Sequence, residues 1–270
     1  MPERFKRLSI ARLGIAAAAG VAILFLILPL VVLVLRVISE QAWVGLPQTG
    51  IVPAIILSVV TTLATVACTL LFGTPLAYIF ARWRFPLRRA LNLLVELPIV
   101  LPPAVAGLAL LVTFGRRGAF GPALELFGIT LPFTTAAVVV AQAFVSAPFY
   151  IRAAQIGFAS VPREIEDAAR VDGAGGWALF RRITLPLAGR ALAAGIVLSW
   201  ARALGEFGAT ILFAGSLQGR TQTMPLLIYN VLERDIDAAM LSGVILIGMA
   251  LLALVVSHWL RRDDSQQEFA

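Results

Sequence analysis

Long apolar runs alternate with short polar segments along this chain of 270 residues, and the pattern predicts an all-α polytopic membrane protein with one transmembrane domain over residues 1–270. A helix needs about 20 apolar residues to cross the hydrocarbon core of a bilayer. The runs are continuous rather than alternating over about ten positions, which argues against a transmembrane β-barrel. The six predicted spans cover residues 13–35, 53–81, 91–114, 132–157, 188–214 and 237–260.

The third predicted span is rich in proline. Its sequence "VELPIVLPPAVAGLALL" places Pro98, Pro102 and Pro103 close together. Proline removes a backbone donor and clashes with the preceding helical turn, so we expect a broken helix beside a cavity. The alternative is an irregularity of packing without a functional role.

The number of arginine and lysine residues alternates between high and low from one predicted loop to the next. Residues 1–12, 82–90, 152–190 and the tail after Leu260 carry 16 of them, and the segments on the opposite side carry five. Positively charged loops remain on the cytoplasmic side of a membrane. We therefore expect a multi-pass plasma-membrane protein with both termini and the segment 152–190 in the cytoplasm.

Composition excludes several classes of site. Hydrophobic residues make up 60% of the chain and charged residues 14%, and the mean hydropathy is +0.92. Lys6 is the only lysine and has no glycine-rich turn around it, so the chain has no phosphate-binding loop of an ATPase. One cysteine, Cys68, and one histidine, His258, are too few for a zinc site. We expect the chain to bind no cofactor, metal or nucleic acid. The excess of basic over acidic residues is expected to anchor the protein to anionic lipid.

A polar segment at about 160–187 separates the fourth and fifth spans. "REIEDAARV" at 163–171 has the composition of a short amphipathic helix, which follows Pro162 and ends before Gly173. Glycine at that point indicates a backbone of positive φ. A second short helix is predicted at about 176–183 and is expected to stop at Pro186. The segment is therefore a helix–turn–helix on the cytoplasmic side.

The second helix carries two aromatic residues on one face, Trp177 and Phe180. Large apolar side chains on a polar loop favour a surface that binds a partner protein. The alternative is a helix that lies in the lipid headgroups with Trp177 as its anchor.

The same segment resembles the EAA loop of the permeases of ATP-binding-cassette importers. The family pattern is E-A-A, three residues, Gly, nine residues and I-x-L-P. The chain departs from it with an aspartate at the first position and Glu166 beside it, so either carboxylate can have the role of the family glutamate. The matching positions are Asp167, Ala168, Ala169, Gly173, Ile183, Leu185 and Pro186.

A second stretch is similar to the molybdate permeases within that family. It contains "RALGEFGAT" followed by "TQTMPLLIY" in residues 199–233. Sulfate and tungstate permeases are related, and they remain alternatives for the substrate.

The resemblance implies a function and a set of partners. The polar loop would be the coupling helix that docks into a cytoplasmic ATPase, and the chain itself would be no enzyme. Two copies of the permease would assemble with two ATPase subunits, which use ATP and Mg²⁺, and with a periplasmic or lipoprotein oxyanion-binding protein. Molybdate would cross by alternating access.

Three charged residues lie in or near the predicted spans: Arg202, Glu206 and Glu96. Arg202 and Glu206 are four residues apart, so we expect an ion pair on one helix face near the middle of the span. The pair either lines the translocation path or gate, or holds neighbouring helices together. A gradient-driven secondary transporter is the rival class, but an adjacent arginine favours the ionised form of Glu206 and makes it a poor proton carrier.

Overall fold

The structure is a computed structural model that describes residues 2–44 and 50–262, and these residues form helices and connecting turns without a strand. The all-α class predicted from the sequence is confirmed. A π-helical turn, Phe180–Thr184, joins the eighth and ninth helices. The helices are α1 Pro2–Ser39, α2 Ile51–Arg82, α3 Arg88–Val100, α4 Pro103–Phe114, α5 Gly121–Leu126, α6 Thr135–Ser160, α7 Arg163–Val171, α8 Gly176–Leu179, α9 Leu185–Leu204, α10 Gly208–Phe213, α11 Met224–Leu232 and α12 Ile236–Arg262.

Four of the described helical stretches are long and apolar enough to cross a membrane. A fifth is added if the bent pair α3–α4 forms one span, and the apolar stretch found in α12, 236–252, is shorter than the others. The number of six spans therefore stays a prediction. The four stretches are Gly14–Ser39, Ile51–Arg82, Thr135–Ser160 and Gly176–Leu204.

The proline-rich third span is broken, as the sequence predicts. Helix α3 ends at Val100, α4 begins at Pro103, and the two helices are bent by 116°. Pro102 has extended backbone angles (φ −53°, ψ 133°), which prevent the helix from continuing. The cause is the pair of prolines, since a residue before proline is disfavoured in the helical region.

The fifth predicted span, 188–214, differs from the structure at both ends. At the start, α8, the π turn and α9 form one continuous stretch, so Pro186 does not stop a helix. The amide of Leu185 donates to the carbonyl of Phe180, five residues back, and this wider turn tolerates a proline that an α-helix would not. At the other end α9 stops at Leu204, and the separate helix α10 begins at Gly208.

The core lies where α2, α6 and α9 pack together. Small residues allow a close approach: a Cβ added at Gly195 would lie 2.8 Å from the Cβ of Ala153. Side-chain hydrogen bonds join the helices, with Thr65 donating to Gln142 of α6 at 3.0 Å. This packing fixes α9 against the rest of the chain. Buried hydroxyl side chains line one face of α2: Ser58, Thr61, Thr62, Thr65 and Thr69.

Candidate functional site

The polar segment forms a helix, a glycine turn and a second helix. Helix α7 occupies the predicted residues, Arg163–Val171, and Gly173 has a φ of +89°. The turn closes through two backbone hydrogen bonds, Gly173 to the Arg170 carbonyl and Ala174 to the Ala169 carbonyl. This is the closure expected of a helix that ends at a left-handed glycine.

One carboxylate of α7 is buried in the body of the protein. Glu166 is 3% exposed, and its Oε1 accepts from Arg82 Nη2 at 2.8 Å and from Thr184 Oγ1 at 2.8 Å. Arg82 Nη2 also donates to the carbonyl of Val161 at 3.1 Å. The cluster of Arg82, Glu166 and Thr184, called here the Glu166 clamp, joins the end of α2, the entry to α7 and the π turn. It bonds the polar segment to the bundle.

The neighbouring carboxylate faces solvent. Asp167 pairs with Arg170 at 2.6 Å on the exposed side of α7. The sequence left open which of the two acids has a special part, and the geometry gives the buried, multiply bonded position to Glu166. Ala168 is exposed and Ala169 is half-buried, so the small residues of the motif border the outer surface.

The aromatic pair is divided between the surface and the core. Trp177 is 72% exposed and stacks on Phe180 with ring centroids 5.7 Å apart. Phe180 is half-buried and packs edge-on against Tyr78 at 5.3 Å, with Phe158 also in contact range at 6.0 Å. The interpretation of both rings as an exposed pair is therefore wrong for Phe180, because the continuous helix turns it towards the core. Trp177 alone is presented outwards.

An apolar groove runs from the aromatic pair along the bundle. It has a volume of about 880 Å³ and lies between α2, α6 and the helix Gly176–Leu204. Thr74 and Tyr150 place their hydroxyls at its wall, 2.6 Å apart. Leu185 also lines the groove, whereas Ile183 is half-buried and Pro186 is exposed.

At the far end of the same helix lies the second predicted pair. Arg202 Nη2 and Glu206 Oε2 are 2.7 Å apart, and Glu206 is 1% exposed. The prediction that the two residues share one helix face is wrong, because α9 ends at Leu204 and Glu206 lies in the break before α10. Their position near the middle of the span stays a prediction. The other oxygen of Glu206 accepts from the amide of Ala209 at 2.7 Å and so satisfies a free donor in the first turn of α10.

Glu96 has a partner that the sequence could not identify. Its carboxylate lies 3.0 Å from Arg152 Nη1 and joins α3 to α6. Both side chains are partly exposed. Among the ion pairs of the described residues, Glu96 contacts neither Arg202 nor Glu206. The predicted charges therefore belong to two separate pairs, Glu96 with Arg152 and Arg202 with Glu206.

Sequence reasoning missed Arg82 and Thr184. Arg82 was counted only as one of the basic loop residues, and Thr184 lies inside the motif at a position that the family pattern leaves open. A usable signal was present, since a carboxylate on the inner face of a short helix requires a cation or several donors. Which arginine supplies the charge depends on how α2 packs, and spacing along the chain does not reveal that.

A family model described as "Binding-protein-dependent transport system inner membrane component" matches residues 73–262. The chain belongs to this family. The match covers every residue of the Glu166 clamp, the Gly173 turn and the Arg202–Glu206 pair. It identifies the protein as a permease subunit of a transport system in the inner membrane, and the class expected from the EAA resemblance is confirmed.

Several relatives of this permease carry descriptions. It is 42% identical over 239 residues to the molybdenum transport system permease protein ModB of Mycobacterium tuberculosis, over 88% of this chain and 90% of the relative. ModB of Escherichia coli is 40% identical over 218 residues, 79% of this chain and 95% of the relative. The sulfate transport system permease protein CysT of Escherichia coli is 35% identical over 249 residues, 89% and 90% of the two chains.

Solved structures share the fold of this permease. A bacterial alginate ABC transporter in complex with an alginate pentasaccharide-bound periplasmic protein matches with a TM-score of 0.67 and 21% identity, over 94% of both chains. The MetNI methionine ABC transporter in inward-facing conformations matches with a TM-score of 0.62 and 16% identity, over 79% of this chain and 95% of the other. At these identities the likeness concerns the fold.

Proposed function

We propose that this permease is the membrane-spanning subunit of an ABC importer and moves molybdate into the cytoplasm by alternating access, driven by a separate ATPase. The observation that carries the proposal is the Glu166 clamp. A short amphipathic segment with an exposed outer face is bonded at its base to two elements of the bundle. A partner that moves this segment therefore moves the bundle as well.

The continuous helix Gly176–Leu204 supplies the mechanical connection. Its 29 residues extend about 43 Å at 1.5 Å per residue. One end carries Trp177 and is bonded to Glu166 through Thr184, and the other ends at the break held by Glu206. A displacement of the coupling segment by an ATPase is transmitted along this helix to the region beyond Leu204, where we place the path or gate.

Molybdate is the proposed substrate because the relatives named for molybdenum transport are 40–42% identical. Sulfate fits less well, since the relative named for sulfate transport is 35% identical over a similar share of the chain. Tungstate is an oxyanion of the same shape and charge and is the alternative that the assay must include.

The proposed assembly has two copies of this chain, two cytoplasmic ATPase subunits that bind ATP and Mg²⁺, and a periplasmic or lipoprotein oxyanion-binding protein. A two-fold pair is the usual symmetry for copies of one chain. A periplasmic protein is part of one structural neighbour by its description. In this arrangement both termini and the α7–α8 segment face the cytoplasm. In a Cys68-free background, Ser160→Cys should be labelled from inside and Thr130→Cys from outside, and the reverse would exclude docking to a cytoplasmic ATPase.

The test is uptake by proteoliposomes that contain the permease, its ATPase and its binding protein. ATP inside the vesicles should drive uptake of molybdate, and the permease alone should move none and hydrolyse no ATP. Trp177→Ala should fold normally, because this side chain is 72% exposed, yet lose most binding-protein-stimulated ATP hydrolysis. Truncation of an aromatic residue at the centre of an interface lowers affinity by about 2 kcal/mol or more.

Two results would contradict the proposal. Uptake by the permease alone under a proton or sodium gradient identifies a secondary transporter. Normal co-purification and normal stimulation of the ATPase with Trp177→Ala exclude docking through this surface. Equal uptake of molybdate and sulfate through one binding protein would reject only the assigned substrate.

A further inference from the structure

A pocket lined by arginine lies at the turn between α2 and α3. Its volume is about 610 Å³, and three of its six lining side chains are guanidinium groups. Among the described residues that line it, none is acidic. The lining residues are Arg84, Phe85, Pro86, Arg88, Arg89 and Asn92.

These three arginines lack a counter-charge in the described part of the chain. Arg82, two residues before the pocket, is bonded to Glu166, whereas no ion pair of the described residues includes Arg84, Arg88 or Arg89. The Nε of Arg88 is buried and has no hydrogen-bond partner. A buried donor without an acceptor is unfavourable, so the geometry leaves a place for an anion.

The pocket lies at the boundary between apolar helix and polar turn. Helix α2 is apolar over most of its length and ends at Arg82, and the next residue, Trp83, is exposed. Leu87 is exposed on the same turn. Tryptophan is enriched where a membrane meets water, and exposed leucine beside it suits the same environment. Arginines without an ion pair, flanked by exposed apolar side chains, suit a lipid headgroup and its acyl chains better than they suit a purely polar ligand.

We propose that this pocket binds the phosphate group of an anionic lipid. Guanidinium groups bind phosphate oxygens through paired hydrogen bonds, and basic pockets beside membrane helices bind acidic headgroups. The pocket is on the same side of the bundle as the Glu166 clamp, because Arg82 belongs to both the end of α2 and the clamp. The assignment to the cytoplasmic leaflet rests on the orientation proposed above, but the binding itself does not.

The test measures lipid binding by the full chain in nanodiscs and by native mass spectrometry. Phosphatidylglycerol should bind more tightly than phosphatidylcholine. The triple variant Arg84→Gln, Arg88→Gln, Arg89→Gln should weaken phosphatidylglycerol binding about tenfold or more. A matched control, Arg163→Gln, Arg181→Gln, Arg182→Gln, removes three exposed arginines from the α7–α9 region and should change binding by less than about twofold.

A second variant distinguishes the charge of the pocket arginines from their hydrogen-bonding geometry. It also keeps the test informative if the glutamine variant does not fold. Replacement of the three pocket arginines by lysine keeps the charge but removes the paired donors, and should give an intermediate loss. Equal weakening in the pocket variant and the matched control would overturn the proposal, since binding would then reflect overall charge. An unchanged preference in both pocket variants would overturn it as well.

Free phosphate and a protein partner are the two other sources of the anion. Inorganic phosphate in excess should not displace phosphatidylglycerol, and full displacement identifies a site for a soluble anion. Addition of the ATPase subunit should leave bound lipid in place, and its release would assign the pocket to the partner. All of these measurements are made without transport, so a failed uptake assay does not affect them.

Discussion

Two buried carboxylates, Glu166 and Glu206, contact different parts of the helix Gly176–Leu204: Glu166 accepts from Thr184 in its first third, and Glu206 follows its last residue. Each has an oxygen 2.7–2.8 Å from an arginine nitrogen and is almost fully buried. They differ in the distance along the chain to their partners. Glu166 accepts hydrogen bonds from residues 84 and 18 positions away. Glu206 forms an ion pair with the residue four positions before it and accepts from the amide three positions after it. The first carboxylate joins separate elements, and the second shapes a local break.

This difference indicates different parts in the proposed mechanism. A clamp between distant elements makes the coupling segment and the bundle one rigid body, which is needed to transmit a movement. A local bond at a helix break fixes an angle between α9 and α10 without restraining the rest of the chain. Loss of the first should therefore affect the folded state more than loss of the second.

The largest expected effect is at the Glu166 clamp. Arg82→Met or Glu166→Gln each leaves a charged partner buried, which lowers the free energy of unfolding by about 3–5 kcal/mol. Thermal unfolding of the permease in detergent, followed by light scattering, measures the loss. The double variant should lose much less than the sum of the single variants, because both charges then leave together.

A matched control is available one residue along α7. Asp167→Asn removes an ion pair between exposed side chains, which contributes at most about 1 kcal/mol. A loss as large as that of Glu166→Gln would show that the two carboxylates are not distinguished by burial. The comparison between the clamp and the surface pair would then be wrong.

A smaller effect is expected at the other end of the helix. Arg202 is 28% exposed, so removal of either partner should cost about 1.5–3 kcal/mol, the range for hydrogen bonds to charged groups. Glu206→Gln keeps an acceptor for the amide of Ala209 and should be milder than Glu206→Ala. Thermal unfolding, together with the yield of assembled complex, measures both.

Uptake by the double variant Arg202→Met with Glu206→Gln separates the two interpretations of the pair. One oxygen of Glu206 accepts from the amide of Ala209 and the other lies 2.7 Å from Arg202, so we expect a structural pair, with assembly and molybdate uptake recovered together. A complex that assembles but does not transport would instead identify a pair that lines the path. Additive losses of assembly would show that the two residues have different partners.

The two ends of the helix also differ in how far the sequence predicted them. Helix α7 was predicted to the residue, because Pro162 and Gly173 act locally on the backbone at its two ends. The break between α3 and α4 followed from prolines in the same way. The prediction that Pro186 ends a helix was wrong, because a π turn that begins six residues earlier accommodates the proline ring. Sequence periodicity does not indicate such a turn.

Long-range contacts account for the remaining differences. The choice between Glu166 and Asp167 depends on Arg82 and Thr184, which only the packing of α2 and α9 brings to α7. The end of α9 depends on the approach of α10 to α4, where a Cβ added at Gly208 would lie 2.7 Å from Pro103. The position of Glu166 on α7 indicates that a partner is needed, but nothing on α7 indicates which residue supplies it. The motif positions were therefore found from the sequence, and their partners only from the fold.

The most local effect is expected at Gly173, in the turn that the clamp supports. Its φ of +89° is strained for any residue with a Cβ, although nothing lies within 4 Å of that position. Gly173→Val should cost about 1–3 kcal/mol through the backbone alone, and Gly173→Asn should cost less, because asparagine tolerates positive φ. Hydrogen exchange at the amides of Gly173 and Ala174, which close the turn, measures the local opening. Because the Glu166 clamp holds the base of the segment, exchange in α9 should stay as in the unaltered chain. Faster exchange along α9 would mean that the turn and the clamp form one cooperative unit, and the coupling segment would then owe its rigidity to Gly173 as much as to Glu166.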